Sequence, residues 1–118
     1  MTEDKLKDQF DLQYLKEVSG GDEVFLAQMI KVFKQEQRLT IEKMKAAVYN
    51  QDWEELSKVA HKFRSSCAVM GMKGLSKLAE KLEFFGDNPQ DGTYVANEFI
   101  ELIDKQSSLA TNYIQKNI

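Results

Sequence analysis

Residues that interrupt regular structure are few in this sequence, and they fall in clusters that settle most of what the chain can become. One proline and six glycines occur among 118 residues. With few β-branched runs, that scarcity predicts a mostly helical protein rather than a sheet protein. The breaks fall at Gly20-Gly21, at Asn50-Gln51-Asp52, at Gly71, and from Gly86-Asp87-Asn88-Pro89 to Gly92.

Between the breaks, apolar residues recur at three- and four-residue spacing. A short first element is predicted from Phe10 to Val18, with Asp11 as N-cap and Phe10 stapled onto Leu15. Asp22 then caps a long helix to about Tyr49, carrying Phe25, Leu26, Met29, Ile30 and Phe33 followed by Ile41, Met44 and Val48. Its first half is apolar over most of its circumference, which predicts cover on two sides, by the rest of the bundle and by the short N-terminal helix. Asp52 and Glu55 have the spacing of a capping box that opens a third element. After Gly71, Met72, Leu75, Leu78, Ala79, Leu82 and Phe85 form another stripe, and Val95, Phe99, Leu102, Ile103, Leu109 and Tyr113 form the last. Short loops imply antiparallel neighbours. The expected fold is all-α: an up-down-up-down four-helix bundle with a short extra N-terminal helix, a single domain over residues 1–118 of a size that buries one core.

Charge and composition narrow the function. The chain is 42% hydrophobic and 30% charged, an ordinary globular balance, and its net charge of −3 lacks the basic face that duplex nucleic acid requires. The charged N-terminus does not read as a signal peptide, and no apolar run approaches the ~20 residues that cross a bilayer. A single cysteine, Cys67, excludes an internal disulfide and lies on an apolar stripe, so a cytoplasmic, monomeric protein is expected. One histidine and one cysteine are too few for the usual zinc or di-iron sites, so no metal is expected in this chain. A hydrolytic triad lacks its elbow and oxyanion arrangement, and a glycine-rich nucleotide loop is absent.

The histidine is thereby singled out. Read as a helix, Asp52 to Gly71 puts Leu56, Val59, Ala60, Phe63, Cys67 and Met70 on one face. At about 100° per residue, His61 points roughly 140° away from that face's centre. It stands beside the small residues Ser57, Ser65 and Ala68, with Lys58, Lys62 and Arg64 around it. An exposed neutral imidazole is a competent nucleophile near pH 7, since its ordinary pKa is ~6.5. The basic surroundings suit an anion, and Arg64 and Lys58, each one turn away, have the reach to hold phosphoryl oxygens.

The run His61-Lys62-Phe63-Arg64-Ser65-Ser66, followed by Gly71-Met72, Leu75, Leu78 and Leu82-Glu83, resembles the signature of histidine-containing phosphotransfer (HPt) domains of two-component phosphorelays. The one departure is Ser65, where that family usually has glycine. The resemblance implies that His61 accepts a phosphoryl group from a receiver-domain phospho-aspartate or hybrid histidine kinase and passes it to the receiver domain of a response regulator. It implies a phosphocarrier rather than an autonomous enzyme, with no kinase activity, no cofactor of its own, and Mg²⁺ on the partner receiver. The docking face it implies comprises Ser57, Lys58, Lys62, Ser65, Ala68 and Lys77. Ser66, at the edge of the apolar stripe, is placed to bond a backbone carbonyl or hold the connection to the next helix, and Gly71 makes the turn. The alternative is a helical adaptor, a degenerate HPt-like domain that docks receivers without carrying phosphate.

Overall fold

A computed structural model of the chain describes residues 12–89 and 92–116. The elements are α1 (Leu12–Val18), α2 (Glu23–Tyr49), α3 (Trp53–Val69), α4 (Lys73–Asp87) and α5 (Thr93–Lys116). Contacts between α2 and α3, α3 and α4, α4 and α5, and α5 and α2 close the four long helices into a ring. Phe10 and Asp11, given to the first element as staple and cap, lie outside the described residues.

The stops of α2 and α3 are built on a left-handed residue. At the end of α3, Gly71 adopts φ +67°, its N–H donates to the Ala68 carbonyl, and the Met72 N–H donates to Cys67. That pair of bonds is the Schellman ending. The end of α2 has the same bonds, Gln51 to Val48 and Asp52 to Ala47, but Gln51 sits at φ +52° without glycine's freedom. The same turn rewrites the predicted capping box. Asp52 Oδ1 accepts the Glu55 N–H at 3.1 Å, whereas the Asp52 N–H that Glu55 would have bonded is already given to Ala47.

The core is one cluster. Leu26, Ile30, Phe33 and Met44 of α2 meet Leu56, Ala60, Phe63 and Cys67 of α3, Leu75, Ala79 and Leu82 of α4, and Ile100, Ile103 and Ile114 of α5. Phe33 and Phe63 stack at 5.9 Å, and Trp53 meets the edge of Phe85 at 5.6 Å. Cys67 is buried here, and burial, with Glu36 nearby, pushes its thiol far above the ordinary range. The expectation that the first half of α2 is covered on two sides is not met: Phe25 is 46% exposed and Val32 59%. Together with Met29, Val69 and Met70 they line an open groove of about 370 Å³. Leu102, assigned to the α5 stripe, is also exposed.

A close backbone approach joins α3 and α4. A Cβ built on Gly86 would stand 2.9 Å from the Ser57 amide nitrogen and 3.0 Å from the Trp53 carbonyl oxygen, so only glycine lets the two backbones meet there. Farther along, each helix buries a small residue, Ala60 on α3 and Ala79 on α4. Gly86→Ala therefore gains ~1 kcal/mol of helix propensity against an overpacking cost of ~1–3 kcal/mol at the backbone, so a net loss of up to ~2 kcal/mol is expected. A lowered urea midpoint at unchanged m-value would be its signature.

Candidate functional site

The α3–α4 seam continues outward from Gly86 as a row of polar pairs. Ser57 Oγ donates to Asp87 Oδ1 at 2.6 Å, His61 Nδ1 lies 2.9 Å from Glu83 Oε1, and Arg64 Nη1 lies 3.8 Å from Glu80 Oε2. Going up α3 by four residues and then three, the partner moves down α4 by four and then three. The row is therefore one antiparallel register, with His61 in the middle.

At that midpoint, the His61 side chain is 58% exposed and that of Glu83 only 18%. Nδ1 also lies 3.2 Å from Glu83 Oε2, and Arg64 Nη2 stands 3.1 Å from Nδ1 and 3.5 Å from the same Oε2. Two hydrogen-bond roles compete for Nδ1, and one tautomer cannot serve both neighbours, the carboxylate and the guanidinium. If Nδ1 accepted from Arg64, its lone pair would face the carboxylate's lone pairs at 2.9 Å. A carboxylate only accepts, so the shorter contact assigns the proton to Nδ1 as donor to Glu83; the guanidinium is then a second donor converging on that carboxylate, and its 3.1 Å approach to Nδ1 is not a bond. A neutral ring protonated on Nδ1 has its lone pair on Nε2, the nitrogen farther from the backbone. The partially buried carboxylate fixes both the tautomer and the ring orientation, as an outer partner does for a ligating imidazole.

The other sequence-derived residues divide into those the seam engages and those on the open face. Lys58 pairs with Glu54 at 3.3 Å, one turn back on its own helix, and Arg64 is held by Glu80 and Glu83. Ser57 lies in the row with Asp87, so its hydroxyl is turned to α4. Ser66 Oγ donates to Glu36 Oε1 at 2.7 Å, which ties α3 back to α2 and not forward to the next helix; its own Lys62 carbonyl is farther, at 3.4 Å. Ser65 Oγ turns toward the His61 carbonyl at 3.4 Å. Lys62, Ser65, Ala68 and Lys77 are exposed, and Gly71 is buried at its turn. Glu83, which no helical-wheel argument on α3 contains, is the residue that sequence reasoning passed over, although Leu82-Glu83 closes the motif quoted above. Among the described residues, no group of three or more His, Cys, Asp or Glu is placed to hold a metal ion. No helix there is long and apolar enough to cross a membrane.

Comparison with known proteins matches this chain at two levels. The Hpt domain family model matches residues 28–108, which is most of the chain and contains every helix that builds the site. Among solved structures, the crystal structure of histidine-containing phosphotransfer protein B (HptB) from Pseudomonas aeruginosa PAO1 aligns with a TM-score of 0.80. It covers 92% of this chain and 93% of its own, at 17% sequence identity. At that identity the likeness is one of fold. No curated protein sequence matches the chain.

The assignment of the proton to Nδ1 is directly measurable. Two-bond proton–nitrogen correlation spectra of the ring, taken above the ordinary imidazole pKa of ~6.5, should show the Nδ1–H form in the wild type. Glu83→Ala should move the ring toward Nε2–H. A ring already in the Nε2–H form in the wild type would show that Arg64, not Glu83, bonds Nδ1.

Proposed function

The chain belongs to the Hpt domain family, and from that premise we propose that it carries a phosphoryl group on Nε2 of His61. The donor is a receiver-domain phospho-aspartate, free-standing or in a hybrid histidine kinase, and the acceptor is the receiver domain of a response regulator. A histidine phosphotransfer role follows from the family. The choice of atom rests on one observation, the contact between His61 Nδ1 and the Glu83 carboxylate. A cytoplasmic location goes with these partners.

In the proposed step the Nε2 lone pair attacks phosphorus, the nitrogen–phosphorus bond forms, and the bond from phosphorus to the aspartyl oxygen breaks, returning a carboxylate. The Nδ1 proton stays in place. The ring then bears positive charge, which the Glu83 carboxylate offsets from the far side. Because transfer is loose and largely dissociative, positioning and charge supply most of the catalysis. Mg²⁺ is expected on the receiver and not on this chain. Arg64 and Lys58 stand ready to turn toward the new phosphoryl oxygens. The Lys58–Glu54 pair is exposed, and such pairs contribute only ~0–1 kcal/mol, so exchanging it for charge-assisted bonds to a dianion is favourable; Arg64 would turn from the exposed Glu80 and keep Glu83.

Ser65 in place of glycine keeps a second reading in play, a domain that docks receivers without accepting phosphate. Intact mass after incubation with a phosphorylated receiver separates the two. We expect the gain of one phosphoryl group, lost on mild acid treatment, retained in base, and absent from His61→Gln. A label that survives acid, or one the Gln variant retains, would refute His61 as the acceptor. The same face can be tested for docking, since Ser65 and Ala68 flank the ring and are exposed. Ser65→Gly should leave receiver affinity within about threefold, whereas Ser65→Gln, which projects into the docking space, should weaken it at least tenfold, or ~1.4 kcal/mol. Equal binding by Ser and Gln at this position would move the docking surface elsewhere.

A further inference from the structure

Asp87 is the last residue of α4. A carboxylate at a helix C-terminus faces the negative end of that helix's dipole, so its own helix does not account for it. Its partner is on the other side of the seam. Ser57, in the second turn of α3, donates to it at 2.6 Å, and the antiparallel arrangement puts the carboxylate beside the N-terminal, positive end of α3. The bond lies next to the point where the Gly86 backbone meets Ser57 and Trp53. Ser57 is one turn before His61, and Asp87 one turn after Glu83. The contact at Gly86 limits how close the helices come, and the buried stripes of α3 and α4 hold them together, but neither is a directional bond, so a small freedom of α4 to slide or rotate remains at this end of the seam. The Ser57–Asp87 bond removes that freedom. The Glu83 carboxylate must remain within hydrogen-bond range of Nδ1, and a displacement of about 1 Å between the helices would break a 2.9 Å bond.

We infer that Asp87, held by Ser57 beside Gly86, is a positioning residue for His61: it fixes α4 along and about its axis so that Glu83 stays on Nδ1 and Nε2 keeps the lone pair. It touches neither the ring nor a phosphoryl group. The inference rests on the phosphotransfer reading only for its effect on rate, because the tautomer is a property of the chain alone.

The test compares the full chain with Asp87→Ala, Ser57→Ala and Asp87→Asn. Asparagine keeps a carbonyl oxygen to accept from the Ser57 hydroxyl. Ser57→Ala removes only that hydroxyl and leaves the Gly86 contact as it is, so it carries the same reading should Asp87→Ala lose its fold. Ring-nitrogen spectra report the tautomer, and phosphoryl uptake from a phosphorylated receiver reports the rate. Asp87→Ala and Ser57→Ala should both shift His61 toward the Nε2–H form and slow uptake about tenfold, and Asp87→Asn should restore both. An unchanged tautomer in a folded Ser57→Ala protein, or an Asn variant that behaves like the Ala variant, overturns the positioning role. If the tautomers follow this pattern while no protein, wild type included, takes up phosphate, the positioning role stands and the phosphotransfer reading falls.

Discussion

The backbone contact at Gly86 is the constraint from which the rest of the site is laid out. Side chains normally keep helix axes 8–10 Å apart, and short polar groups reach across such a seam only where the axes come close. Here a hydrogen stands where every other residue carries a carbon, and one turn farther along, a histidine and a glutamate meet at 2.9 Å. Ala60 and Ala79, buried on the same two helices, are likewise small. Packing of small residues therefore sets the distance, and the polar row above it uses that distance.

Electrostatics then distinguishes the two faces of the imidazole. On the seam side a half-buried carboxylate receives two donors, the ring N–H and the Arg64 guanidinium, so it is not left as an unpaired charge against the core. On the solvent side the flanking residues at one-turn spacing are small or basic. The acid lies where it orients the ring and offsets positive charge, away from the place an anion would approach. Reversing the two would put the negative charge of Glu83 against an incoming phosphate.

Most of the bundle was readable from the chain, because helix periodicity and helix stops are local properties. The breaks at Gly20-Gly21, Asn50-Gln51-Asp52 and Gly71 fall where helices end, and the face opposite the Leu56–Phe63–Cys67 stripe is the one that exposes His61. What periodicity cannot supply is axial register between helices. It assigns Ser57 and Arg64 to a face of α3, but whether they meet solvent or Asp87 and Glu80 depends on how α4 is slid against α3, a register that joins residues thirty apart in sequence. Ser66 reaches a backbone carbonyl as expected, that of Lys62 at 3.4 Å, but its shorter bond goes to Glu36, thirty residues back on α2, which periodicity does not reveal. The apolar belt of α2 misled differently: hydrophobicity records what a surface is made of, and Phe25 and Val32 remain open to solvent. Gln51 carried no signal, because the left-handed turn it occupies is usually marked by glycine.

The burial of Cys67 also makes the bundle its own strain gauge. Thiol chemistry requires the thiolate and access to it, and the fold withholds both: the sulfur is fully enclosed, and its deprotonation is opposed by desolvation and by Glu36 across the α2–α3 junction. A reagent in solution therefore meets this sulfur only in molecules whose core has momentarily opened where α3 packs on a neighbouring helix. Its rate of capture counts those openings, so a single native atom keeps a running record of how often the helix that presents the histidine comes loose from its neighbour.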